Sequence, residues 1–140
     1  MILQSLDRYR DHGLLVLRIG IGVMFMTHGF PKLMAGPQLW AGLGSAMGNF
    51  GVTFAPEFWG FMAAFSEFGG GLALIAGFLV RPTVLMMAFT MLVAATMHIS
   101  KGDGIKGASH AIELGIVFVS LFLIGAGRFS LDGILASKRR

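Results

Sequence analysis

The chain has 140 residues, 55% hydrophobic and 13% charged, with a formal net charge of +4 and a mean hydropathy of +0.76. Soluble domains carry about 25% charged residues, so the composition excludes an ordinary water-soluble globular fold and points to a chain that lives in lipid. The absence of cysteine excludes disulfides, thiol catalysis and thiolate metal sites.

A short charged segment with Asp7, Arg8, Arg10 and Asp11 opens the chain ahead of the first apolar run. That run is too long for a signal-peptide h-region and no small-residue cleavage site follows it, so it reads as a retained first span. Spans are expected over residues 13–33, 58–80, 83–100 and 108–125, each near the roughly 20 apolar residues that cross a bilayer as a helix. Four spans and their loops use up the chain. The fold class is therefore all-α, an integral membrane four-helix bundle forming one domain over residues 1–140.

In the first span Gly20 and Gly22 read as packing positions, and Arg18, in its inner half, is expected to snorkel to the inner surface. Pro31 cannot donate to the carbonyl of Thr27, which predicts a kink or early unwinding. The outer loop, residues 34–57, is long, apolar and glycine-rich. Pro37 and the residues after it predict a short interfacial helix with Trp40 at headgroup level, covering the outer mouth of the bundle. Gly69, Ala73 and Gly77 recur every four residues in the second span, as in a small-residue ridge. Gly69, Gly70 and Gly71 adjoin Glu67, and two readings stand: helix packing alone, or room for a flat ligand. Arg81-Pro82 forms a tight inner turn, while Lys101-Gly102-Asp103-Gly104 is a charged outer turn after the third span. Ala111 and Gly115 give the fourth span a small face.

Basic residues favour the cytoplasmic side. Arg8, Arg10, Arg81, Arg128, Lys138, Arg139 and Arg140 flank one side of the spans, against Lys32, Lys101 and Lys106 on the other. Seven against three, with an even number of spans, predicts a multi-pass protein of a prokaryotic inner membrane with both termini cytoplasmic. The pI of about 10.1 then reflects flanks that meet anionic lipid. No nucleic-acid partner is expected, because no basic stripe is interleaved with aromatics on a soluble surface.

The polar residues inside the spans are the candidate site. Ionisable groups at membrane depth cost a few kcal/mol each, so they face a bundle interior, pair with one another and mark function. His28 and Lys32 are four residues apart on one helix face, Glu67 lies well inside the second span, His98 ends the third, and His110 and Glu113 are three apart on the fourth. These six form the predicted ligand-binding set. A lone buried carboxylate keeps its proton, whereas one with an ammonium in reach releases it. Either form of Glu67 suits a carbonyl or hydroxyl ligand, or proton exchange through His28 or His98. The opposing reading leaves His98, His110 and Lys101 merely solvated at the boundary. Met24, Met26, Met87, Met91 and Met97 suit Cu(I), but methionine is also ordinary core filler, and no metal or haem spacing motif appears.

Several blocks together resemble the DoxX family of small four-helix membrane proteins. They are Arg18-Ile19-Gly20, His28-Gly29-Phe30-Pro31-Lys32, Glu67-Phe68-Gly69-Gly70-Gly71, Gly77-Phe78-Leu79-Val80-Arg81, His98 and Gly125-Ala126-Gly127-Arg128-Phe129-Ser130-Leu131-Asp132. Their order covers nearly the whole chain, from about Leu14 to Gly133. The resemblance implies a membrane subunit linked to quinone-dependent redox work or quinone and catechol stress.

On these grounds the expected function is binding of a quinone or similar small lipophilic aromatic within the bundle, as a subunit of a redox or detoxification system. Glu67 and His28 would bond the ring oxygens, Lys32 would stabilise negative charge, and a partner redox subunit would supply electrons. Two alternatives stay open: a small-solute carrier or channel working as a homo-oligomer, and a non-catalytic scaffold for a soluble oxidoreductase.

Overall fold

The computed structural model describes residues 4–138; Arg139 and Arg140, counted above in the basic flank, lie outside the described residues. A 3-10 turn, Gln4–Tyr9, runs into helix α1, Arg10–Met34. The outer loop folds as α2, Pro37–Gly44, followed by a 3-10 segment, Ser45–Phe50. Three long helices follow: α3, Pro56–Ala76, α4, Val80–Ser100, and α5, Gly104–Ile124; α6, Leu131–Ser137, ends the described chain. Four segments, Ser5–Met34, Pro56–Ala76, Val80–Ser100 and Gly104–Ile124, are long and apolar enough to cross a membrane. The expected four-span all-α bundle is the fold. Each expected boundary falls within four residues of an observed one.

Helix α1 packs on α3, α3 on α4 and α4 on α5. The edge-to-face pair Phe25–Phe118, 5.1 Å between ring centres, closes the ring of helices between α1 and α5. Leu74, Val84, Met87, Phe118 and Leu121 are fully buried and form the core beneath this contact.

The inner end is held by side chains that finish helices other than their own. Arg18 is fully buried, with 0% exposure, and does not snorkel. Its guanidinium donates to the carbonyl of Leu74 at 2.9 Å and to that of Phe129. Leu74 lies in the last turn of α3, where carbonyls have no partner within the helix. Asp132 does the converse job. Its two carboxylate oxygens each accept at 2.8 Å from the backbone N–H groups of Leu79 and Val80, which open α4. A carboxylate there also meets the positive end of the helix dipole. Between them, Gly77 ends α3 at φ +68°, a conformation that favours glycine, and its carbonyl accepts from the Asp132 N–H. Asp11 accepts from Arg128 N–H at 3.0 Å, so both ends of the described chain meet at this side.

Glycine sets how closely the helices approach, but at other positions than the expected ridge. A Cβ on Gly71 would stand 2.6 Å from the Gly22 carbonyl, and one on Gly22 would stand 2.7 Å from the Gly71 carbonyl. Gly29 leaves no room for a side chain against Glu67 and Phe68, and Gly70 is filled by Met87. The space beside these glycines is thus taken by protein, which removes the flat-ligand reading of Gly69-Gly70-Gly71. Gly69 faces only the ring of Phe65 on its own helix. The expected kink at Pro31 does not unwind the helix, which continues to Met34. We expect Gly71→Ala to cost ~1–3 kcal/mol by prising α1 from α3. Gly69→Ala should stay within about 0.5 kcal/mol, since the half-exposed Phe65 ring can turn. Thermal unfolding in detergent, followed by tryptophan fluorescence, measures both.

Candidate functional site

The outer half of the bundle is hollow where the inner half is filled. Gly29 brings α1 against α3 at the level of Glu67, so Lys32, one turn further out, reaches back to the acid. Its Nζ lies 2.7 Å from both Glu67 oxygens, a bidentate ion pair. The Glu67 side chain is 8% exposed and that of Lys32 34%, so the acid is enclosed while its partner opens toward the outside. The end of α1 is fixed from above. Trp40 donates its indole N–H to the Lys32 carbonyl at 2.9 Å and sets its ring edge-to-face on Phe61. Trp40 is therefore half-buried as a clamp on α1 and α3, where the sequence predicted an interfacial anchor.

Two cavities meet at the ion pair. One, of about 180 Å³, is bordered by His28, Lys32, Glu67, His98 and His110, with Phe25 and Met91 at its base. The other, of about 430 Å³, lies between α3 and α4 and is walled by Met47, Phe58, Trp59, Met62, Phe89 and Met97. Lys32, Glu67, Ala94 and His98 border both. The 3-10 segment after α2 roofs the larger cavity, since Ala46 and Met47 are buried and line it. The expected lid thus exists, but α2 itself crosses the outer end of α3, with Gly44 against Pro56 and Gly60 against Trp40.

Five of the six predicted residues border the smaller cavity. His28 donates Nδ1–H to the Met24 carbonyl at 2.7 Å, because a carbonyl only accepts; that bond leaves its Nε2 uncommitted. His98 gives Nδ1–H to Asp103 at 2.7 Å across the outer turn. Exposed His110 completes the rim. Glu113 stays apart: it is exposed and lies nearly one turn further inward along α5 than His110, and it does not border the cavity. Asp103, which orients His98, and Trp59, which walls the larger cavity, escaped the sequence reading. The charged turn around Asp103 was visible, but nothing marked its pairing with a residue five positions back. The buried Ser66, which accepts from Thr90 Oγ1 at 3.0 Å, was likewise silent.

The arrangement leaves hydrogen-bonding capacity facing the cavities. An ammonium has three N–H donors, and the carboxylate of Glu67 occupies two of those on Lys32, leaving one for a ligand oxygen. Among the described residues no three His, Asp or Glu side chains converge as a metal site would require.

A compact membrane bundle with an enclosed ion pair between an apolar and a histidine-lined cavity is the class of protein this fold and site define. The DoxX family model matches residues 13–99, more than half of the chain, and the chain belongs to that family. It is similar to the inner membrane protein YqjF of Escherichia coli K12, with 35% identity over 136 residues that cover 95% of this chain and 99% of that protein. It is also similar to an uncharacterized protein of Haemophilus influenzae Rd, with 29% identity over 136 residues covering 93% and 96% of the two chains. No solved structure matches.

Removing one member of the enclosed pair should cost more than removing both. Lys32→Met strands a carboxylate and is expected to lose about 1–3 kcal/mol, whereas Lys32→Met with Glu67→Leu should recover much of the loss. Paired melting curves of the two variants in detergent provide the check.

Proposed function

We propose that this protein binds a quinone, or a quinone-like small aromatic, in the larger cavity with its polar oxygen at the Lys32–Glu67 pair. The carrying observation is the meeting of a mostly apolar cavity of about 430 Å³ with a bidentate ion pair at one end. That volume falls in the roughly 300–1,000 Å³ range of small-molecule sites, and an apolar lining with few fixed polar groups is how such sites orient a ligand. Phe58, Trp59, Phe89 and the methionines suit an aromatic ring. The third Nζ proton of Lys32 suits a ring carbonyl, and the enclosed carboxylate suits a hydroxyl. The quinone-linked work implied by the DoxX family points the same way.

In this reading the chain's own groups bind and exchange protons. His98 borders both cavities, and His28 and His110 border the smaller one, so a proton can pass between Glu67 and the outer side through imidazole nitrogens. A partner redox protein supplies or removes electrons. The membrane is a bacterial inner membrane, as for the Escherichia coli relative, and both termini face the cytoplasm with the basic flanks.

Two measurements test this reading. Menaquinone or ubiquinone analogues added to the protein in nanodiscs should quench Trp59 fluorescence saturably. Glu67→Gln should weaken the apparent affinity about tenfold or more, as expected for a hydrogen bond to a charged group. Unquenched fluorescence, with no quinone in a lipid extract of the purified protein, counts against it. For orientation, a C-terminal fluorescent-protein fusion should glow and a C-terminal alkaline phosphatase fusion should be inactive; the reverse pattern inverts the topology.

A further inference from the structure

Glu113 is an ionisable group that the bundle does not use. It is the tenth of the 21 residues of α5, two helical turns, or about 10 Å, inward from Lys106. It is exposed, and no hydrogen-bond or ion-pair partner meets it among the described residues. A carboxylate at such a depth facing acyl chains is costly, and its side chain is too short to reach the headgroups. Something polar must cover it.

The surrounding pattern identifies what. Lys106, His110, Glu113, Val117, Ser120 and Ile124 are separated by four, three, four, three and four residues, the spacing of a heptad seam. Five of the six are exposed and Val117 is half-buried, and His110 marks the edge where the seam meets the rim of the smaller cavity. Lys106, Glu113 and Ile124 take no part in the buried core, to which α5 contributes positions such as Ala108, Ala111 and Phe118; Val117 packs against the edge of that core, and Ser120 borders the groove between α4 and α5. The seam contains an acid and a base one turn apart, so it is complementary to a copy of itself. In a parallel two-fold pair, equivalent layers face each other. His110 of one copy then lies one layer above Glu113 of the other, and the pairing occurs twice.

We propose that this seam of α5 is a homodimer interface, in which Glu113 accepts a hydrogen bond across the two-fold axis from His110 of a second copy. The partner is this same chain, because the seam carries both members of the required pair. His110 also borders the histidine-lined cavity, so the second copy lies beside that cavity's outer rim. The inference does not depend on which ligand the bundle binds.

The natural chain has no cysteine, which makes single-cysteine cross-linking clean. Val117→Cys and Ser120→Cys should each give a disulfide-linked dimer on mild oxidation in native membranes. Val16→Cys, 70% exposed on α1, should not. In nanodiscs or a detergent dilution series, Glu113→Ala should raise the dimer dissociation constant about 3- to 30-fold, the range spanned by single interhelical hydrogen bonds in membranes. The cross-linking arm leaves Glu113 intact, so it stands even if Glu113→Ala folds poorly. A protein that stays monomeric at every dilution, with both seam cysteines uncoupled, overturns the proposal. So does cross-linking of those cysteines only to a different polypeptide, or a folded Glu113→Ala whose dimerisation is unchanged.

Discussion

Lipid offers the backbone no hydrogen bonds, so each helix end within or near it must find a partner in the protein. At the inner end two charged side chains answer that need. Arg18 satisfies carbonyls at the close of α3 and in the segment before α6, and Asp132 satisfies the first amides of α4. The turn between α3 and α4 is only a few residues long, with Gly77 and Leu79 both at positive φ. It holds its shape because these two side chains bind it from opposite sides. Neither charge is there to contact solvent, and both join elements far apart in the chain.

A fastened inner end allows the outer end to be open. Close contact at Gly22, Gly29 and Gly71 seals α1 to α3, and a filled core lies between the helices around Leu74, Met87 and Phe118. Above that level small residues such as Ala63, Ala94 and Ala111 border the two cavities, and the 3-10 segment roofs the larger one. The Lys32–Glu67 pair stands where they join. An ion pair so enclosed is weak evidence of a stabilising role, because removing both charges from water costs about as much as their attraction returns. In the proposed function its place at the join of two cavities sets a donor and a carboxylate where a ligand oxygen would arrive.

The two mid-helix acids illustrate how environment divides roles between like residues. Glu67 has an ammonium at 2.7 Å and is enclosed in the bundle, so it belongs to the candidate site. Glu113 has no such partner among the described residues and is exposed, so it stands outside that site. Hydropathy treats the two alike.

The four spans, the all-α class and the polar set on the outer half were legible from residue order, because helix length and the i, i+4 relation of His28 and Lys32 are local properties. The resemblance blocks also marked Arg18 and Asp132, although not what either does. Which glycines touch, where Arg18 finds its acceptors 56 and 111 residues away, and why Glu113 is left outside were decided only by the tertiary structure. The physical reason is that these depend on how each helix is rotated and shifted along its neighbour. Here α3 is displaced so that Glu67, its twelfth residue, stands level with Gly29 near the end of α1. Sequence periodicity fixes a face within one helix, whereas the rotation and shift between helices come from side chains packing together.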